Sequence, residues 1–175
     1  YPMGMVPEIE LYAGYQVKFA AAISSDDIKE NSATIKGTSD GTKVYYTNNP
    51  YYQGYTGEAL RAEAKKEDSK ASFATVDVEN GKFSIELNNL SVDTSYTYYL
   101  VAENDNNDVS EMQTVKFKTL KRTLTTDDFQ IVGSTEFTYT HNGDIHEIEV
   151  RPVEGKEGSF GIGAVQYKEK VGAED

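Results

Sequence analysis

Apolar and polar residues alternate with a period of two along most of this chain, as a strand with one buried face requires. The stretch from Thr94, "TSYTYYLVAEN", puts Tyr96, Tyr98, Leu100 and Ala102 on one face and Thr97, Tyr99, Val101 and Glu103 on the other. The first set is expected to point inward. "GKFSIELNNL" repeats the pattern with Phe83, Ile85 and Leu87, and "TVKFKTL" sets Val115 and Phe117 against Lys116 and Lys118. Two more strands are expected around Ala33 to Lys36 and Lys43 to Tyr46, joined by a turn in which Asp40-Gly41 tolerates positive φ. "YQVKFAAAI" and "ASFATVDV" supply flanking strands.

One segment breaks the alternation. "TGEALRAEAKKED" is rich in Ala, Glu and Lys, with Thr56 placed to cap, Glu58 near the positive end and Lys65 and Lys66 near the negative end. It predicts a short helix packing through Leu60 and Ala64. Strand following strand at short spacing with polar turns argues for a sandwich of antiparallel sheets, so the fold class is all-β with one inserted helix. The pattern changes near Lys121 to Thr123. Beyond it, "LTTDDFQIVGSTEFTYTHNGDIHEIEVRP" opens with a polar turn and alternates again through Phe137, Tyr139, Ile145, Ile148 and Val150. A chain of 175 residues suits one or two units, and the fragment after the boundary is marginal as a core of its own.

Seven Phe and thirteen Tyr supply core material without any tryptophan. The net charge of −12 opposes a phosphate backbone and an anionic membrane surface, so nucleic acid is set aside as a partner. The absence of cysteine removes disulfides, thiolate nucleophiles and sulfur-ligated zinc. The longest apolar runs, Phe19 to Ile23 and Tyr98 to Ala102, fall far short of the roughly 20 residues a spanning helix needs, so no membrane insertion is expected.

Five of the tyrosines crowd into positions 45 to 55, in "YYTNNPYYQGY". Asn49-Pro50 starts a turn and Gly54 permits another, which places Tyr51, Tyr52 and Tyr55 on a looped connection. Their rings either fold back to fill a small core or stand outward, where Asn48 and Asn49 would add hydrogen bonds for a flat ligand such as a sugar.

Little in the sequence points to catalysis. Adjacent carboxylates at Asp26-Asp27 and Asp127-Asp128 point apart on an extended chain, whereas glycoside hydrolysis needs two that face each other across a bond. They are read as turn and strand-start residues. His141 and His146, with Asp144 and Glu147 nearby, are read as turn and surface residues rather than metal ligands. No "GxSxG" context surrounds a serine. The oxygen-rich "ENDNNDVSE" from Glu103 to Glu111 lacks the register of a calcium loop, since Val109 falls on a ligand position. A connecting loop is expected there, with Asn106 or Asn107 at positive φ. No catalytic residue, metal or cofactor is expected.

The block "LSVDTSYTYYLVAENDNNDVSEMQTVKFKT" resembles the end of a fibronectin type III domain, with Leu90, Thr94, Tyr96, Leu100, Ala102 and Thr119 in the family's places. Ala33 and Ile35 extend the resemblance backward, so that it covers about 15–121. The family's usual tryptophan is missing, and the insert with the tyrosines and helix is not standard. The stretch from Leu124 looks like the start of another repeat of such proteins, through Thr125, Asp128 and Phe129, then Gly143, His146 and Val150, then Gly163, Val165 and Tyr167.

The resemblance implies an immunoglobulin-like sandwich at 15–121, preceded by a linker or the end of a preceding unit at 1–14 and followed by a second small β-rich repeat at 122–175. It implies repeats of large surface proteins of Gram-positive bacteria, hence an extracellular, cell-surface or cell-wall location and a monomeric, non-catalytic spacer or adhesin-type module. Partners would be a protein or glycan at the cell surface. In such domains the loop carrying Asn106 and Asp108 touches partners, although Arg-Gly-Asp occurs nowhere here. A self-formed Lys–Asn amide bond, known in such repeats, is not expected, so the intact mass should lack the corresponding loss of ammonia. The alternative reading is a carbohydrate-binding accessory module using the tyrosine-rich loop 48–55.

Overall fold

Every alternating segment up to Lys118 becomes a strand. The computed structural model describes residues 14–132 and 149–158, and the chain divides into two units, Tyr1–Arg122 and Thr123–Asp175. The first contains β1 (Phe19–Ala22), β2 (Ala33–Ser39), β3 (Lys43–Thr47), α1 (Gly57–Lys65), β4 (Ala74–Asp77), β5 (Lys82–Leu87), β6 (Ser95–Glu103) and β7 (Gln113–Lys118). One sheet has the order β1-β2-β5 and the other β4-β3-β6-β7, with every pairing antiparallel. This is an immunoglobulin-like sandwich with a short helix inserted between β3 and β4.

Ile35, Ile85 and Phe83 from the first sheet meet Val44, Tyr98, Leu100, Val115 and Phe117 from the second in the main core. Phe83 stacks on Phe19, and Phe117 lies against both Tyr96 and Tyr98, so aromatic rings fill much of this core. Tyr96 opens β6 and turns its phenol back to the preceding corner, where the Ser91 amide donates to it at 2.8 Å. That contact is the tyrosine corner of immunoglobulin-like sandwiches.

The structure corrects the reading of β6. Tyr99, Val101 and Glu103, assigned to an outer face, are as buried as Tyr98, Leu100 and Ala102. The segment between β3 and β4 covers that outer face and builds a second core there from Tyr45, Tyr52, Leu60, Ala64, Tyr99 and Val101. Single-sheet alternation assumes that one face stays wet, and here neither does.

The turn after β2 also differs from expectation. Neither Asp40 nor Gly41 has positive φ. Gly41 is needed for close approach instead, because a Cβ there would lie 2.6 Å from the Glu103 carbonyl oxygen.

In the second unit, β8 (Phe129–Val132) pairs antiparallel with β9 (Glu149–Pro152). Phe137, Tyr139, Gly143, Ile145, Ile148, Gly163, Val165 and Tyr167 lie outside the described residues, as do His141, Asp144, His146 and Glu147.

Candidate functional site

The insert begins at a short 3-10 turn, Pro50–Tyr52, capped by the Asn49 side chain, which accepts from the Tyr51 amide at 3.0 Å. Pro50 sets the first dihedral of that turn, and Gly54 then takes a φ of 80° that other residues adopt only with strain. α1 follows, capped by Thr56, whose hydroxyl accepts from the Ala59 amide at 3.2 Å. Leu60 and Ala64, one turn apart, face the sheet. At the exit Thr47 donates to the Ser72 carbonyl at 2.7 Å and fastens the end of the insert to β3.

The tyrosines therefore separate by role. Tyr45 and Tyr52 are buried in the second core, while Tyr46 lies against the main one. Tyr52 is only 4% exposed, so its ring is not available to a ligand; it meets Tyr51 and Tyr55 edge-on, each at 5.3 Å, and Phe73 at 5.0 Å. Tyr51 stands out at 71% exposure, with its ring 6.0 Å from that of the half-buried Tyr55. A hydrogen bond to Tyr51, with some burial, pushes the Tyr55 phenol up to about 12. Asn48 is exposed, whereas the Asn49 oxygen is committed to its cap.

Beneath α1 sits an ionic cluster that sequence reasoning missed. The Glu103 carboxylate accepts from the Tyr45 phenol at 2.8 Å, from Arg61 at 3.3 Å and from Lys65 at 2.7 Å. Arg61 and Lys65 are one turn apart on α1, so both cations reach the same acid. Burial acts to raise the Glu103 pKa, but Lys65, Tyr45 and Arg61 together hold it below the usual carboxylate value. Tyr45 is pushed up to about 12, first by burial and then by its bond to Glu103. The available signal was an acid at the end of an uninterrupted apolar run, paired with Arg and Lys four apart on a helix.

A depressed carboxylate contributes stability above its unfolded pKa of about 4.3, and that stability is lost as pH falls toward the folded value. The melting-temperature gap between the native chain and Glu103→Gln is accordingly expected to be widest near neutrality and to shrink below about pH 4. Subtracting the variant removes the parallel contributions of Asp40, Glu63 and Asp93, which are also depressed. A gap equal at pH 7 and pH 3 would contradict the cluster's role.

The loop after β6 is organised by Asn104. Its side-chain oxygen accepts from the Asn106 and Asp108 amides, both at 3.0 Å, and its amide group donates to the Asp108 carboxylate at 2.8 Å. Asn107 takes the positive φ, at 63°. Asn106 is exposed, and Asp108 faces an open groove of about 810 Å3 that Tyr55 also lines. Each Asp pair is engaged within its own unit: Asp27 pairs with Lys36 in the first, and in the second Asp128 accepts from the Thr125 amide and from Lys156. Among the described residues no His, Cys, Asp and Glu group is placed to hold a metal, and no helix is long and apolar enough to cross a membrane.

No family model matches the chain, and neither does any curated protein. Among solved structures, a β-sandwich protein redesigned by computer is similar at 18% identity and a TM-score of 0.35, covering 61% of this chain and 93% of its own. The sensor domain of the anti-sigma factor RsgI4 of Pseudobacteroides cellulosolvens is similar at 16% identity and a TM-score of 0.33, covering 59% of this chain and 96% of its own. The functional reading therefore rests on the chain's own residues.

Proposed function

We propose that this chain is a non-catalytic interaction module of an exported bacterial surface protein, built on a fibronectin type III-like repeat and acting as a spacer or adhesin-type domain. The observation that carries the reading is the insert 48–73. It shares a second core with β3 and β6, is locked down through Glu103, and leaves Tyr51 71% exposed on a fixed base. An aromatic ring with a polar tip, held outward on a rigid support, suits a recognition surface because little of its freedom is left to lose on binding. The three-plus-four strand order and the tyrosine corner support the repeat assignment. The proposed location is the cell surface.

A carbohydrate-binding accessory role is the second reading, favoured by one observation: the Tyr51 ring stands clear of the second core beside Tyr55. Immobilised chain presented with extracellular-matrix proteins and cell-wall polysaccharides tests both readings. The first expects a protein ligand, the second a glycan. Protease shaving of intact cells of the producing organism should release the module; its retention in the cytoplasmic fraction, or turnover of any polysaccharide offered, would overturn the proposal.

A further inference from the structure

The groove that Tyr55 shares with Asp108 runs between the start of α1, residues 107–112 and the segment 14–16 leading into β1. Its floor exists because of one glycine. Gly57, the first residue of α1, lies so close to the segment joining β6 to β7 that a Cβ would sit 1.8 Å from the Ser110 carbonyl oxygen, so the helix end is drawn down beside residues 110–112. On the other side the Val17 amide donates to the Val109 carbonyl at 3.2 Å, which seats the segment carrying Tyr15 along the same floor. The volume of about 810 Å3 lies within the range of roughly 300–1,000 Å3 usual for ligand sites.

Tyrosines sit among the residues of both walls, and each is held by its phenol rather than covered. Tyr15 is 55% exposed while its hydroxyl donates to Asp40, which also accepts from the Lys18 amide at 2.8 Å. Tyr55 is braced edge-on by Tyr52 and hydrogen-bonded to Tyr51, whose exposed ring continues the aromatic surface beyond the groove. Rings fixed before a ligand arrives lose little conformational freedom on binding.

Hydrogen-bond acceptors accompany the rings. Asp108, Glu58 and Glu111 line the groove, and among the described residues its one lining cation, Arg61, is committed to Glu103 and to the Asn107 carbonyl. Such a lining repels anionic polymers, while hydroxyl groups can donate to it through charge-assisted hydrogen bonds. Flat rings together with carboxylate acceptors match a chain of sugar rings bearing hydroxyls.

We infer that this groove, with Tyr15 and Tyr55 as ring platforms and Glu58 and Glu111 as hydroxyl acceptors, binds a segment of uncharged polysaccharide, the Tyr51 loop extending the site. This rests on the carbohydrate-binding reading and moves its centre from the loop to the groove.

Calorimetric titration of the full chain with cello-, xylo-, manno- and chito-hexasaccharides, at low and high salt, provides the test. At least one is expected to bind with little salt dependence. Tyr15→Ala and Glu111→Gln should each weaken that binding about tenfold or more while leaving the melting temperature within a few degrees. If Tyr51→Ala abolishes binding and neither groove variant changes it, the loop alone is the site; the groove assignment then fails and the carbohydrate reading stands. If no hexasaccharide binds, both fail. Binding of an oligolysine peptide instead, lost at high salt and weakened by Glu111→Gln, would overturn the inference in favour of a basic peptide ligand.

Discussion

Leu100→Ala is expected to lower the unfolding free energy by about 3–5 kcal/mol, among the largest losses any single truncation here would cause. Leu100 is 0% exposed at the middle of β6, paired with Tyr46 on β3 and Gln113 on β7. Its side chain enters the main core, and β6 is covered on both faces, so neighbouring groups have little room to collapse into the space left behind. Urea titration followed by far-ultraviolet circular dichroism should show a lower midpoint with an unchanged slope. A loss below about 1 kcal/mol would mean that the two layers relax far more freely than close packing allows.

Gly57→Ala should destabilise, against the usual sign of such a change. Inside an exposed helix, alanine in place of glycine gains about 1 kcal/mol. At the start of α1 the added methyl would meet the Ser110 backbone carbonyl at 1.8 Å, and no side-chain rotation can relieve a clash with main chain. Either the helix end lifts or the segment joining β6 to β7 shifts, at a cost of about 1–3 kcal/mol, the range for overpacked sites. Thermal melting of Gly57→Ala beside Ala62→Gly, an exposed helix position, separates propensity from packing. A rise in melting temperature for Gly57→Ala would show that the close approach is absent.

The strands were legible because each buries one face against the other sheet, and period two reports that directly. Ile35, Phe83, Ile85, Val115 and Phe117 all point where their spacing places them. The helix was legible from Thr56, Leu60 and Ala64, since caps and helical spacing are local signals. The second core was not, because it depends on a distant segment returning over β6. The run Tyr98 to Ala102 carried the clue, since five consecutive apolar residues are what a strand covered on both faces displays. The candidate site was legible only in its tyrosine-rich turn. Tyr51 could be chosen from its turn, but Tyr52, three residues from Tyr55, differs from Tyr51 only in which way the short turn rotates it. Tyr15 and Glu111 could not be joined to Tyr55 at all, because three separate stretches of chain meet at the groove.

The double covering of β6 also sets an order of opening. Amide hydrogens of β6 can exchange with deuterium only after both the insert and the opposite sheet have let go, so they should be the slowest in the first unit. Amides of α1 need only the insert to detach, an excursion that leaves the sandwich standing, and they should exchange earlier as one group.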